Sequence, residues 1–134
     1  GGVSRYYLSV AVQQRLGSGF PWGTLLINVT GSLLLGFIIR YAIATPGMSV
    51  EVRALLTVGF CGGYTTFSTY SYATATLLED GRYVRAAAYA IGSMVVALIA
   101  TFCGVMLARV LIEWRGGGWM PHTFHSAREA ECTA

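Results

Sequence analysis

Lysine is absent from this chain of 134 residues, and charged residues of every kind make up only 11% of it. The nine basic residues are all arginines, and the formal net charge of +3 is too small and scattered to indicate a nucleic-acid surface. Hydrophobic residues make up 54% of the chain, and the mean hydropathy is +0.58. These values are typical of a membrane protein rather than of a soluble globular domain.

Residues that form disulfides or bind metals through their side chains are also scarce. Cys61 and Cys103 fall in apolar stretches and Cys132 in the C-terminal tail, with no CxxC spacing. We therefore expect packing residues and a free thiol. His122 and His125 form an HxxH pair, but they have neither a helical setting nor a third ligand, so no metal site is predicted from them.

Carboxylates are missing from the middle of every apolar stretch. Glu51, Glu79, Asp80 and Glu113 all lie near the predicted ends of these stretches. A proton-coupled multidrug exporter needs a carboxylate at membrane depth, so a small dual-topology multidrug-type transporter is only an alternative, as is a non-conducting assembly subunit. An intramembrane enzyme is rejected because Ser68 has no histidine within the apolar stretches to act as its base.

Four apolar segments are present instead, over residues 3–16, 23–44, 52–78 and 84–114. A membrane-spanning helix needs about 20 residues. The first segment is shorter than this, so we expect a first helix shortened at its start, with an interfacial helix as the alternative. The sequence thus predicts an all-α membrane protein with four transmembrane helices in residues 1–115, followed by a flexible tail over residues 116–134.

The third segment contains a run of glycine, hydroxyl and aromatic residues over 59–70, inside what is otherwise one apolar helix. We expect a break at Gly62-Gly63 that divides the segment into two half-helices. Polar or broken backbone at membrane depth is tolerated only where it is buried in protein or lines a wet cavity, which predicts a channel or transporter. Carbonyls freed at the end of the first half suit a small hard cation. Thr65 and Thr66 are expected to satisfy part of the freed backbone.

Two further polar features each allow two interpretations. Asn28 shares one face of the second segment with Thr24, Gly31 and Ser32, and its amide either faces a pore or joins two helices by a hydrogen bond. A stripe of small and polar residues on the fourth segment is either a helix-packing seam, which is the commoner case, or a pore wall. Its members are Tyr89, Ser93, Ala97, Thr101 and Gly104. After the break, Phe67, Tyr70 and Thr74 likewise share a face that serves either ordinary packing or a pore.

Arginine placement gives almost no preference for one membrane orientation. If all four segments cross, three arginines lie on one side and four on the other: Arg15, Arg82 and Arg85 against Arg40, Arg53, Arg109 and Arg115. So weak a positive-inside bias fits a protein that inserts both ways and pairs antiparallel, and it also fits many proteins of single orientation. Because the four segments are not repeated in tandem, a pore between repeats requires a second chain.

Two motifs in these segments resemble one family, the Fluc or CrcB-type fluoride channels. GxxGGxTTFST over residues 59–69 is similar to the family's third-helix signature, and GTLxxNxxG over residues 23–31 is similar to its second-helix signature. Arg5-Tyr6 resembles the Arg-aromatic pair of its first helix. The similarity extends over roughly residues 3–114.

The resemblance implies an antiparallel homodimer in the inner membrane, with two pores that export fluoride passively. It also implies a structural sodium ion at the dimer centre, held by main-chain oxygens at positions that correspond to Gly62 and Thr65. The implied fluoride-pore residues are Asn28, Thr24, Ser68, Phe67, Tyr70, Tyr89, Ser93 and Arg5.

These residue types suit fluoride. Amide and hydroxyl donors replace water without a fixed charge that traps the ion, and aromatic edges present the positive rim of the ring. Arg5 is expected to add positive potential at a vestibule. Tyr70 departs from the family pattern, which has Phe at this position.

Overall fold

A computed structural model of the chain describes residues 1–17 and 19–116, and every regular element in this part is helical. The elements are α1 (Gly2–Leu16), α2 (Trp22–Ile43), α3 (Val50–Ala54), the π-helical segment π1 (Leu55–Cys61), α4 (Gly62–Tyr64), α5 (Phe67–Glu79) and α6 (Tyr83–Gly116). The predicted all-α class is confirmed for the described residues. Apart from Gly116, which ends α6, the predicted tail and its histidines lie outside them.

Helices α2 and α6 are long and apolar enough to cross a membrane. They contain 22 and 34 residues, and both agree with predicted segments to within about two residues at each end. At 1.5 Å per residue, α6 is about 50 Å long, whereas the hydrocarbon core is about 30 Å thick. A helix of this length that crosses a bilayer extends into the interfacial layers or beyond them.

The two long helices pack so closely that their backbones touch. A Cβ added to Gly104 would overlap the carbonyl oxygen of Leu33 and stand 2.9 Å from the amide nitrogen of Phe37. A Cβ added to Gly36 would overlap the carbonyl oxygen of Thr101. Small residues at such crossings let membrane helices approach closely. The C-terminal part of the predicted polar stripe is thus a packing seam.

The third segment is broken, but the predicted position of the break was wrong. Gly62 has helical dihedrals (φ −64°, ψ −38°), and the run α3–π1–α4 continues through Gly62-Gly63 to Tyr64. The break lies instead at Thr65 (φ −77°, ψ 157°) and Thr66 (φ −150°, ψ 117°). Glycine permits a break without requiring one, whereas β-branched threonine favours extended backbone and caps helices well. Thr66 therefore serves as the N-cap of α5.

Side-chain hydrogen bonds bring the helix ends together in two groups. Arg85, near the start of α6, donates to the carbonyl of Gly19 in the α1–α2 turn at 3.4 Å. At the opposite end of α6, Arg115 donates to the hydroxyl of Tyr41 at 2.6 Å, and Arg53 donates to a carbonyl in the last turn of α2 at 3.2 Å. These contacts agree with the division of arginines between two ends that the sequence predicted.

Candidate functional site

The break in the third segment is held by a side chain from α2. The backbone amide of Thr66 donates to Oδ1 of Asn28 at 2.9 Å, and Nδ2 of Asn28 donates to the Thr66 carbonyl at 3.3 Å. One amide side chain thus satisfies both backbone groups of a residue that has left the helix. Because Nδ2 carries two protons, one N–H of Asn28 remains beyond this pair. We call this two-bond contact the Asn28–Thr66 clasp.

The approach of α2 to the break depends on the absence of a side chain at Gly31. A Cβ there would overlap Cγ2 of Thr65 and stand 3.0 Å from Cδ1 of Tyr64. The hydroxyl of Tyr64 also lies 3.0 Å from Oγ1 of Thr30, one residue before Gly31. The face of α2 that carries Thr30 and Gly31 therefore packs against the end of the first half-helix.

The clasp changes which backbone groups are available at the break. In a continuous α-helix the Thr66 amide would bond to the carbonyl of Gly62, but here it bonds to Asn28. The Thr65 amide and hydroxyl both donate to the carbonyl of Cys61, at 2.9 and 3.0 Å. The carbonyl of Gly62 is thereby released from its α-helical partner, and that of Thr65 lies beyond the helix end. Both carbonyl oxygens are ligands of the kind that a hard cation prefers.

An open groove of about 260 Å³ lies beside the break. Its lining comes from three elements and the break itself, and none of the lining side chains is charged. The lining residues are Asn28, Ser32, Leu35, Thr65, Thr66, Phe67, Tyr70, Ser93, Met94 and Ala97. Four of the predicted pore residues are therefore brought together here, on α2, α5 and α6.

Ser93 provides a buried hydroxyl donor in this groove. Ser93 is 6% exposed, and within the described residues its Oγ has no hydrogen-bond partner. A buried hydroxyl without a partner is costly, so this group is suited to meet an acceptor that enters the groove. Ser93, the hydroxyl of Ser32 and the remaining N–H of Asn28 give the groove uncharged donors.

Aromatic rings form the wall of the groove on the α5 side. Phe67 and Tyr70 have ring centroids 5.5 Å apart, and Tyr70 contacts Tyr89 in turn at 5.4 Å, with the two rings tilted by 35°. Tyr89 meets the ring of Phe20 edge-on at 5.4 Å. The hydroxyl of Tyr70 donates to the carbonyl of Ala90 at 3.0 Å. The rings thus connect the groove to the α1–α2 turn.

The other predicted pore residues lie outside the groove lining. Tyr89 and Thr24 are buried, at 1% and 6% exposure, on the facing helices α6 and α2. Ser68 is exposed on the first turn of α5, with Oγ 3.2 Å from Oγ1 of Thr66. Arg5 lies on α1 and is half-buried. Their predicted roles stay predictions.

Sequence reasoning missed the partner of Asn28. The two residues of the clasp are 38 positions apart, and no local pattern pairs them. Two features of the sequence point to the residues involved. Helical spacing places Asn28, Gly31 and Ser32 on one face of α2, and Thr66 lies in a hydroxyl-rich run.

Comparison with known proteins gives matches over most of the chain. The family model described as "CrcB-like protein, Camphor Resistance (CrcB)" matches residues 1–105. A fluoride-specific ion channel FluC from Geobacter sulfurreducens is 48% identical over 111 residues, which cover 83% of this chain and 90% of that protein. Channels with the same name from Pelobacter propionicus and Trichormus variabilis are 47% and 48% identical, each over 113 residues. These alignments cover 84% and 82% of this chain, and 88% and 81% of those proteins.

Proposed function

The chain belongs to the CrcB-like family, and on that basis we propose that it forms a fluoride-selective ion channel. Fluoride leaves the cytoplasm passively across the inner membrane, driven by its own gradient and by the membrane potential. The observation that carries the proposal is the groove beside the broken helix, which combines uncharged donors with an aromatic wall. No part of this mechanism requires a catalytic residue.

The chemistry of the groove fits a small, strongly hydrated anion. The Asn28 amide and the Ser93 hydroxyl offer hydrogen bonds in place of water, and they add no fixed charge that would hold the ion. Phe67 and Tyr70 line the same groove, and the edges of aromatic rings carry the positive rim of the quadrupole, which can face an anion. The bulk of these rings excludes wider anions.

The remaining parts of the proposal concern the assembly. All four segments cross the membrane, α1 and the broken third segment included, and two chains pair antiparallel. Each of the two pores is then built from both chains. Support comes from the open side of the groove and from the exposed apolar ring of Phe67 in its lining, which is 79% exposed. A second copy closes the groove and covers part of this ring.

A sodium ion at the centre of the dimer fits the residues at the break. Gly62 and Thr65 would hold it through main-chain oxygens, two from each chain, and the clasp releases one of these carbonyls by engaging the Thr66 amide. Across residues 1–17 and 19–116, no cluster of His, Cys, Asp or Glu offers an alternative site for a metal. The bound ion supplies positive charge that offsets converging carbonyl dipoles.

The activity is tested by reconstituting the purified chain in liposomes loaded with fluoride or chloride. We expect rapid fluoride release and retained chloride, while protein-free liposomes retain both. Equal release of the two anions, or no fluoride release from an intact dimer, would contradict the proposed function. Repeating the assay with N-methyl-D-glucamine in place of sodium on both sides should lower the activity or dissociate the dimer, and indifference to the exchange argues against the sodium site.

Membrane orientation requires a separate test. Gly47 lies in the α2–α3 turn with open space around it, so Gly47→Cys offers a thiol at one end of the bundle. With Cys61→Ser, Cys103→Ser and Cys132→Ser in the same chain, because Cys103 is also a free, exposed thiol, a membrane-impermeant maleimide applied to sealed vesicles should label about half of the molecules if both orientations occur. Labelling of all or none of them contradicts antiparallel pairing.

A further inference from the structure

Tyr70 makes a contact that the phenylalanine expected at this position cannot make. Its hydroxyl donates to the backbone carbonyl of Ala90 on α6 at 3.0 Å. Among the side-chain hydrogen bonds of the described residues, this is the one that joins α5 to α6. The threonines of α5 bond within their own helix, as Thr74 and Thr76 do with carbonyls four residues earlier.

This hydrogen bond commits the only proton of the phenol. Tyrosine has one donor, and here it points at a carbonyl whose second lone pair is open even in a regular helix. The hydroxyl of Tyr70 therefore cannot donate to an anion in the groove while the bond to Ala90 is made. What Tyr70 presents to the groove is its ring.

The bond also fixes the position of the aromatic wall that Phe67 and Tyr70 form. On one side Tyr70 contacts the ring of Tyr89, which is 1% exposed and packs in turn against Phe20. Phe67, by contrast, is 79% exposed, and its one ring contact within the described chain is with Tyr70, at 5.5 Å. The position of both rings relative to Asn28 across the groove thus depends on how Tyr70 is attached to α6.

We propose that Tyr70 is a positioning residue whose hydroxyl tethers the second half-helix to α6 and so sets the aperture between the aromatic wall and the donors of the groove. The inference rests on the proposed fluoride channel and adds the residue that tunes its selectivity. Loss of this tether widens the range of anions that pass and leaves the donors for fluoride in place.

The test compares anion release from liposomes for the unmodified chain, Tyr70→Phe and Tyr72→Phe. Tyr72 lies two residues further along α5, is 74% exposed and serves as the control for removing a hydroxyl from this helix. We expect Tyr70→Phe to raise the chloride-to-fluoride ratio of release rates by about two- to tenfold, the equivalent of one net hydrogen bond. Tyr72→Phe should leave the ratio unchanged.

A second pair of variants tests the bond with the ring shape preserved. 4-Aminophenylalanine at position 70 keeps a donor toward the Ala90 carbonyl, and 4-methylphenylalanine keeps the bulk without the donor. The first should retain the selectivity of the unmodified chain, and the second should behave as Tyr70→Phe does, even if Tyr70→Phe itself fails to fold.

Two results overturn the inference. Unchanged selectivity in both donor-free variants, Tyr70→Phe and 4-methylphenylalanine at position 70, shows that the hydroxyl does not affect selectivity. Lost fluoride release with an intact dimer in both shows that the hydroxyl serves the ion directly. If the unmodified chain itself releases no fluoride, the proposed channel function fails, and this outcome is distinct from either of the others.

Discussion

The Asn28–Thr66 clasp gives a prediction with two separable parts, because the same amide holds the break and lines the groove. Asn28→Ala removes both hydrogen bonds to Thr66 and leaves a backbone N–H and C=O without partners at the break. Side-chain hydrogen bonds in membrane proteins average about 0.6 kcal/mol, and an unsatisfied buried group costs about 1 to 3 kcal/mol. We therefore expect Asn28→Ala to lower the free energy of unfolding by roughly 1 to 4 kcal/mol and to release little fluoride.

Asn28→Asp separates the two roles because aspartate has nearly the same shape as asparagine. The new side chain still accepts from the Thr66 amide, and in its protonated form it also donates to the Thr66 carbonyl. It has no further proton for the groove, and when ionised it repels an anion. The loss of one charge-assisted donor corresponds to a fall in fluoride release of about tenfold to a hundredfold. In its protonated form the variant keeps both bonds to Thr66, so its stability should be close to that of the unmodified chain.

Liposome release and thermal unfolding of the detergent-solubilised protein measure the two parts. If Asn28→Asp releases fluoride at the normal rate, Asn28 serves the structure alone. If Asn28→Ala is as stable as the unmodified chain, the clasp contributes nothing to the fold. The expected pattern is one unstable, inactive variant and one stable, inactive variant.

Three further predictions follow from close approaches and from the unpaired donor. Gly31→Val should push the break away from α2 and cost about 1 to 3 kcal/mol of stability, measured by thermal unfolding, because its side chain meets Thr65. Gly104→Val should destabilise the protein more, because its side chain meets backbone of α2 that cannot give way. Gly92 has open space around it, so Gly92→Ala should be neutral or stabilising and serves as the control for altered helix propensity. Ser93→Ala should leave stability unchanged or improved, because its hydroxyl has no partner within the described chain, yet it should slow fluoride release; normal release would remove Ser93 from the pathway.

The sequence predicted the long helices well because their limits are marked locally. Helix α2 was expected over residues 23–44 and runs from Trp22 to Ile43, between Pro21 and a Thr45-Pro46-Gly47 turn. Long apolar runs bounded by turn residues leave few alternatives for such a helix. Its face with Asn28 and Ser32 was also identified by helical spacing.

The break was misplaced by three residues because two local preferences compete there. The glycine pair lowers helix propensity, but it carries no side chain that caps or bonds elsewhere. The threonines favour extended backbone, and Thr66 supplies the cap of α5 through Oγ1, which accepts from the amide of Thr69 at 3.3 Å. Long-range contacts decide the outcome, since the clasp from Asn28 favours the site at which Thr66 leaves the helix.

The polar stripe on α6 changes its surroundings along the helix, so its two interpretations apply to different parts of it. Near its C-terminal end, Gly104 lies against the backbone of α2, so small size is what matters there. Nearer its N-terminal end, Ser93 and Ala97 line the groove, where α6 has separated from the break. Helical spacing places all of these residues on one face, but it carries no information about the distance to the neighbouring helix.

Asn28 and Ser93, two of the uncharged donors of the groove, differ in a way that would suit the proposed channel, in which an ion must both bind and leave. Asn28 is fixed by its bonds to Thr66, so its remaining N–H is held in place before an anion arrives. Ser93 has no such partner in the described chain, and its hydroxyl can turn toward an acceptor that passes. A preorganised donor needs no rearrangement to replace water, which lowers the cost of entry. An uncharged, rotating hydroxyl gains a partner only while the ion is present, so it stabilises passage without holding the ion.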